Sequence, residues 1–215
     1  MIKYVIWDFN GTVLDDRELT LKLLNEILKN QEKPSLSMEQ YLAVFGFPIK
    51  DYYLKAGVTF ERDSFAELAD WFIKIFQPES LKLNLHEGVL TTLKELIKKG
   101  ITNVCLSASK QSNLEEQLNH YQIRKYFKYV LGTDNIHALG KKTNGAEFLK
   151  INKINPKSCV LIGDTIEDYI IARELGVLPV LFSGGHQPKA KLLTKTKLVI
   201  DNISDLLTII KNEGE

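Results

Sequence analysis

Ile2-Lys3-Tyr4-Val5-Ile6-Trp7-Asp8-Phe9-Asn10-Gly11-Thr12 is the stretch on which the reading of this chain turns. From Ile2 to Trp7 the residues are almost continuously apolar and β-favouring, which predicts a short strand buried on both faces. The run stops at a carboxylate, Asp8, and then at Asn10-Gly11, a turn dipeptide. Strands buried on both faces belong to parallel sheets, and ligands of such sheets gather beyond the carboxyl ends of the strands. Asp8 stands at such an end.

The next stretch has a different rhythm. Leu19, Leu21, Leu23, Leu24, Ile27 and Leu28 recur at helical spacing between Arg17 and Gln31. Ser37 and Gln40 form the signature of a capping box that opens a second helix. Gly46-Phe47-Pro48 interrupts, further helices are expected near 49–56 and 61–76, and Pro78 is expected to close the section. From Glu87 onward helices and strands alternate. Helices are predicted near 89–99, 111–121, 143–151, 166–175 and 203–210, the first and fourth closed by Gly100 and Gly176. Strands are predicted near 102–106, 129–132, 158–162, 178–182 and 198–200. This alternation predicts an α/β fold, a doubly wound and mostly parallel sheet, with the helical block inserted after the first strand.

Composition narrows the function. The 215 residues are 44% apolar and carry a net charge of +1, and no basic stretch is interleaved with aromatics, so nucleic acid is not expected as a partner. No segment approaches the roughly 20 apolar residues that span a bilayer, and the N-terminus is too short for a signal segment before it meets Asp8. A cytoplasmic protein without a membrane partner is expected. Cys105 and Cys159 lie in apolar runs and read as small core hydrophobes, in keeping with a reducing compartment. No Gly-x-Gly-x-x-Gly fingerprint or Gly-rich loop followed by Lys-Ser/Thr occurs, which disfavours the nucleotide folds that need them. The sequence does not reveal an oligomeric state.

Several chemically distinctive residues fall at the predicted strand ends. One strand ends at Asp8 and Asn10, another at Ser107, and another at Asp164, with Asp168 one helical turn on; Lys141 and Lys142 lie between them in sequence. Carboxylates converging on one rim repel each other, and a hard divalent cation would relieve the repulsion. Mg²⁺ suits such a site, since it takes oxygen ligands and needs only one or two protein carboxylates beside water and phosphate. A carboxylate beside the cation can attack phosphorus, while a lysine and a serine hydroxyl hold the remaining oxygens. The expected partner is a small phosphorylated metabolite.

Four of these segments together resemble the motifs of the haloacid dehalogenase superfamily. Asp8-Phe9-Asn10-Gly11-Thr12-Val13-Leu14-Asp15 is similar to its first motif and Val104-Cys105-Leu106-Ser107 to its second. Gly140-Lys141-Lys142 is similar to the lysine region of its third and Gly163-Asp164-Thr165-Ile166-Glu167-Asp168 to its fourth. All occur in order over residues 1 to about 185. The resemblance implies a Rossmann-like core of residues 1–14 and 82–215 and a helical cap of residues 15–81, of the kind found in the phosphoglycolate phosphatase-like branch. It implies Asp8 as nucleophile and Mg²⁺ ligand, the Asn10 carbonyl and Asp164 as further ligands, and Asp168 as a residue orienting water or the lysine. Ser107, with Ala108 beside it, would bind phosphate, and Lys141 would hold phosphate and nucleophile, Lys142 being the neighbouring alternative. Thr12 falls to a substrate-binding role in the catalytic loop or to a plain cap. Gly46, in the break of the cap, would face the site and take part in substrate choice.

The departure from that resemblance is Asn10, where related phosphatases carry an aspartate acting as general acid and base. An amide cannot exchange a proton at neutral pH, and losing such a group costs about 10²–10⁴ in rate. A good leaving group, a proton from the cap or His186, or a catalytically weak or regulatory role would each accommodate it. His186, after Gly184-Gly185, otherwise reads as a loop histidine without a role.

Overall fold

The computed structural model describes residues 1–133 and 140–213. Six parallel strands form one sheet in the order β3-β2-β1-β4-β5-β6: β1 (Tyr4–Trp7), β2 (Thr102–Lys110), β3 (Tyr129–Thr133), β4 (Cys159–Gly163), β5 (Leu178–Phe182) and β6 (Val199–Ile200). The register sets Trp7 between Cys105 of β2 and Ile162 of β4. The strand order reverses at β1, and the crevice at such a reversal is where open α/β sheets bind ligands. The fold is the expected doubly wound, Rossmann-like α/β architecture.

Both faces of the sheet are covered, which accounts for the continuous apolarity of its strands. On one face Val5, Trp7, Cys105, Val160, Ile162 and Val180 pack against α5 (Val89–Lys98), α6 (Gln111–His120) and α10 (Leu206–Asn212). On the other, Ile6, Val104, Leu106, Cys159 and Leu161 pack against α7 (Gly140–Ile151) and α8 (Ile166–Leu175). The two cysteines are buried and free on opposite faces, as small core residues. Trp7 is wholly buried, and its indole N–H donates to Asn103 Oδ1 at 3.0 Å. Asn103 in turn donates to the carbonyls of Leu93 and Tyr126. The polar edge of the indole is thereby satisfied inside the core.

Four helices follow β1: α1 (Arg17–Asn30), α2 (Met38–Val44), α3 (Ile49–Lys55) and α4 (Phe65–Ser80). They enclose an apolar cluster of their own, including Leu24, Leu28, Tyr41, Phe45, Tyr52 and Leu68. The Ser37/Gln40 capping box opens α2 as expected, and a second one, Ser64/Glu67, opens α4. The two chain segments joining this block to the sheet run side by side. Leu14 bridges Leu85 in antiparallel fashion, Asp15 N–H donates to Asn84 O, and His86 N–H donates to Val13 O.

Several boundaries differ from expectation, and α4 itself runs Phe65–Ser80 where a helix is expected near 61–76. Pro78 lies inside α4 instead of ending the helical section before it. It falls in the last turn, and the nearby end is bound from outside: Tyr121 OH donates to Ser80 O and Gln117 Nε2 to Ser80 Oγ. β2 continues past Leu106 to Lys110, with a register shift against β3 in that stretch, so Ser107 lies within the strand. α7 begins at Gly140 and not at Thr143, which places both Lys141 and Lys142 in its first turn. No helix among the described residues is long and apolar enough to cross a membrane.

Candidate active site

The strand ends bring Asp8, Asp164, Asp168 and Lys141 into one buried cluster. Asp8 stays in the sheet ladder through its N–H, which donates to Ile162 O at 2.9 Å. Asp164 follows the end of β4. Asp168 belongs to the capping box of α8, where its Oδ2 accepts from the Thr165 N–H at 3.0 Å and the Thr165 hydroxyl at 2.6 Å. One carboxylate oxygen from each of Asp8, Asp164 and Asp168 lies within 4.8 Å of the others. Lys141 Nζ donates to Asp8 Oδ1 and, at 2.6 Å, to Asp168 Oδ1. Lys142 instead pairs at the surface with Glu174 at 2.6 Å. Of the two adjacent lysines, Lys141 is the one that reaches Asp8.

Burial sets the electrostatics. It pushes the Asp8 carboxyl up to about 8; Lys141 opposes that rise, and Asp168 and Asp164 add to it. Burial likewise raises Asp164 to about 6, against the attraction of His186. Burial would lower the Lys141 ammonium, but Asp168 and Asp8 outweigh it and hold the group above its ordinary value. Three carboxylates with one ammonium leave excess negative charge in a place that disfavours it. A hard dication would neutralise that excess, and the oxygens of Asp8 and Asp164, with the backbone carbonyl of Asn10 nearby in sequence, are the donors Mg²⁺ takes. The donor set fits the ion.

The remaining expected residues are placed as follows. Thr12 is fully buried, and its hydroxyl lies 3.3 Å from Asp8 Oδ2 and 3.1 Å from Asp164 Oδ1, so it joins the two carboxylates to each other. Gly11 has φ +76°, and a Cβ there would come within 2.4 Å of Asp164 Oδ2; only glycine fits. Ser107 is 2% exposed, with its hydroxyl accepting from the Ser109 N–H at 3.1 Å. The Ala108 carbonyl accepts from Thr133 Oγ1 at 3.1 Å. The amide oxygen of Asn10 is buried without a hydrogen-bond partner among the described residues. Gly46 faces the loop after β5, where a Cβ added to it would meet the Gln187 side chain at 3.8 Å.

That loop brings in His186, named from the sequence only as one proton source, and His186 in turn meets Asp16 and Tyr41, which the sequence did not single out. His186 is 4% exposed. Its N–H donates to Asp164 Oδ2 at 2.6 Å, its Nε2 lies 3.1 Å from Asp16 Oδ1, and its Nδ1 is 2.6 Å from the Tyr41 hydroxyl. Burial would lower the imidazolium, but Asp16 foremost holds it up at about 9. Asp16 also accepts from the Gly11 N–H at 2.7 Å. The Phe45 ring stacks on His186 at 4.6 Å, and the Phe45 carbonyl accepts from Gln187 Nε2 and Lys191 Nζ. The only advance signal was positional: Gly184-Gly185-His186 follows a strand end on the same rim, and a second carboxylate, Asp16, follows Asp15. Tyr41 is apolar-patterned within α2 and gave no signal.

Comparison with known proteins places this geometry. The sequence pattern of the family described as "Haloacid dehalogenase-like hydrolase" matches residues 5–181. Phosphoglycolate phosphatase 1 of Pseudomonas aeruginosa is 22% identical over 99% of this chain and 81% of that protein. The pyrophosphatase PpaX of Anoxybacillus flavithermus is 20% identical over 97% of each chain. Among solved structures, a haloacid dehalogenase-like family hydrolase of Streptococcus pneumoniae superposes with a TM-score of 0.81 at 18% identity, covering 97% of this chain and 98% of that one. That likeness shows the fold.

Proposed function

Because the chain belongs to the haloacid dehalogenase-like hydrolases, we propose that it releases phosphate from a small phosphorylated metabolite through an aspartyl-phosphate on Asp8. The chain is a hydrolase of the phosphatase type, as its named relatives are. The observation that carries the proposal is the Lys141 ammonium set between Asp8 and Asp168 in a buried carboxylate cluster. A structural ion pair needs neither a third buried carboxylate nor a position at the strand-order reversal.

In this reading Asp8 Oδ attacks phosphorus. Lys141 fixes the attacking carboxylate and neutralises charge growing on the phosphoryl oxygens. The Ser107 hydroxyl and the backbone at Ala108 hold two of those oxygens. Thr12 keeps Asp8 and Asp164 in fixed relation, and Asp168 keeps Lys141 aimed at Asp8. Asp8, Asp164 and the Asn10 carbonyl would hold Mg²⁺, which supplies Lewis-acid stabilisation of the transferring phosphoryl group. Helices α1–α4, as a cap of residues 15–81, would close over the substrate, exclude water and choose it, with Gly46 and its neighbours at the closing edge. The weak or regulatory alternative raised by Asn10 is not favoured: the other expected groups stand together, and the relatives carry enzyme names.

The test is phosphate release from a panel of phosphorylated metabolites, with Mg²⁺ and with chelator, for wild type and Asp8→Asn. Release that depends on Mg²⁺ and vanishes in Asp8→Asn supports the reading. Undiminished release by Asp8→Asn would remove Asp8 as nucleophile.

A further inference from the structure

Phe9 is buried in the apolar core between Asp8 and Asn10. Asn10 follows it, two residues past Asp8, with its side-chain oxygen buried and without a hydrogen-bond partner among the described residues. There it offers an amide, which donates a hydrogen bond through Nδ2 but has no proton to give up. The neighbouring groups are occupied. The Lys141 ammonium is shared by Asp8 and Asp168. The Thr12 hydroxyl lies between Asp8 and Asp164. His186 has both ring nitrogens engaged, Nε2 with Asp16 and Nδ1 with Tyr41. Of these three groups, none stands free to protonate a departing oxygen.

Leaving groups differ widely in how much they need that proton. A carboxylic acid has a pKa of about 4 and a phosphate a second pKa of about 6, so both depart as anions at neutral pH. An alkoxide is closer to hydroxide, whose parent water has a pKa of about 15.7, and departs poorly without protonation. Resting on the reading of Asp8 as nucleophile, we infer that this site selects phosphoryl groups carried by acyl phosphates and phosphoanhydrides over those of alkyl phosphomonoesters. In the first step a bond forms from Asp8 Oδ to phosphorus. The bond from phosphorus to the bridging oxygen breaks, and its electron pair leaves on that oxygen with no proton moved. Asn10 Nδ2 donates a hydrogen bond to the departing oxygen. In the second step water adds to phosphorus, the Asp8 Oδ–phosphorus bond returns its pair to the carboxylate, and the surplus proton passes to solvent.

The experiment compares kcat/KM in Mg²⁺ for acetyl phosphate, inorganic pyrophosphate and ethyl phosphate, together with aryl phosphates of graded leaving-group acidity. Wild type, Asn10→Asp, His186→Gln and Asp8→Asn are assayed in parallel. The expected result is that wild type favours acetyl phosphate, pyrophosphate or both over ethyl phosphate by at least about 100-fold, with aryl phosphate rates falling steeply as leaving-group pKa rises. Asn10→Asp should shift the ratio of ethyl to acetyl phosphate turnover upward by about 10²–10⁴, the usual worth of a general acid. Acetyl phosphate alone being favoured assigns the acyl class, and pyrophosphate alone the anhydride class. Equal turnover of ethyl and acetyl phosphate by wild type overturns the inference, and a steep dependence appearing only in His186→Gln would identify the acid that had been overlooked. With Asp8→Asn inactive, that failure leaves the nucleophile standing; an active Asp8→Asn removes both readings.

Discussion

The Tyr41 hydroxyl and the His186 ring, 145 residues apart in the chain, meet at 2.6 Å. Tyr41 belongs to α2 in the helical block, and His186 to the loop that also donates to Asp164. One hydrogen bond therefore joins that block to the acidic cluster. Tyr41→Phe removes the hydroxyl and leaves His186 Nδ1 buried with no partner, which costs about 1–3 kcal/mol. The expected result is a lower unfolding midpoint in denaturant at unchanged slope, with KM raised more than kcat is lowered. An unaltered midpoint and unaltered KM would show that the bond holds nothing in place.

Lys141 and Lys142 should separate sharply. Lys141→Ala leaves buried carboxylates without their ammonium, and breaking a buried pair from one side costs about 3–5 kcal/mol. Phosphate release should fall by at least about 10²-fold, and added Mg²⁺ should restore part of the stability without restoring the rate. Lys142→Ala removes an exposed pair worth about 0–1 kcal/mol and should leave both readouts near wild type. Equal effects of the two substitutions would contradict the geometry.

Stability should fall with rising pH when no divalent cation is present. Asp8 and Asp164, raised from 3.8 to about 8 and about 6 by burial first, favour folding while they are protonated. Their contribution is whole below the unfolded value of 3.8 and is lost as pH climbs through about 6 and then about 8. His186, raised from 6.5 to about 9 against its burial by Asp16, acts in the same sense between those values. Thermal melts in chelator should therefore show a midpoint declining from weakly acidic to alkaline pH. Mg²⁺ should raise the midpoint most at the alkaline end, where the carboxylates are ionised. Asp8→Asn should flatten the decline. A gap between the Mg²⁺ and chelator curves that does not change with pH would count against the carboxylates as the binding groups.

Gly11→Ala places a Cβ in a backbone region costing about 1–3 kcal/mol for other residues and drives it into Asp164. The variant should lose at least about tenfold in activity, and its melting midpoint should respond less to Mg²⁺ than that of wild type. A wild-type response would mean that Asp164 can move aside freely.

What could be read in advance was whatever obeyed a local rule. The strand ends at Asp8 and Asp164 follow from apolar runs that stop abruptly, and Asp168 follows from standing one helical turn beyond Asp164. The choice between Lys141 and Lys142 could not be made in that way. Adjacent helical residues point about 100° apart, so the start of α7 at Gly140 decides which lysine faces Asp8. The joining of Asp16 and Tyr41 to His186 was illegible for a different reason: it spans up to 170 residues, and neither Asp16 nor Tyr41 has a neighbour pattern that distinguishes it from an ordinary loop or helix position. Pro78 was misjudged because the support for its helix end comes from Gln117 and Tyr121, far along the chain.

The paired crossings at Leu14–Leu85, Asp15–Asn84 and Val13–His86 carry a mechanical consequence. Two segments bonded to each other in this way would act as a strap hinge for the proposed cap, letting the helices beyond them turn about one line and opposing a sideways slide that would tear those bonds. The same strap begins three residues after Asn10 and is tied to the loop by the Gly11 N–H donated to Leu14 O. Torque applied to the helices would thus be delivered at the peptide that carries Gly11, where even a methyl group would run into Asp164.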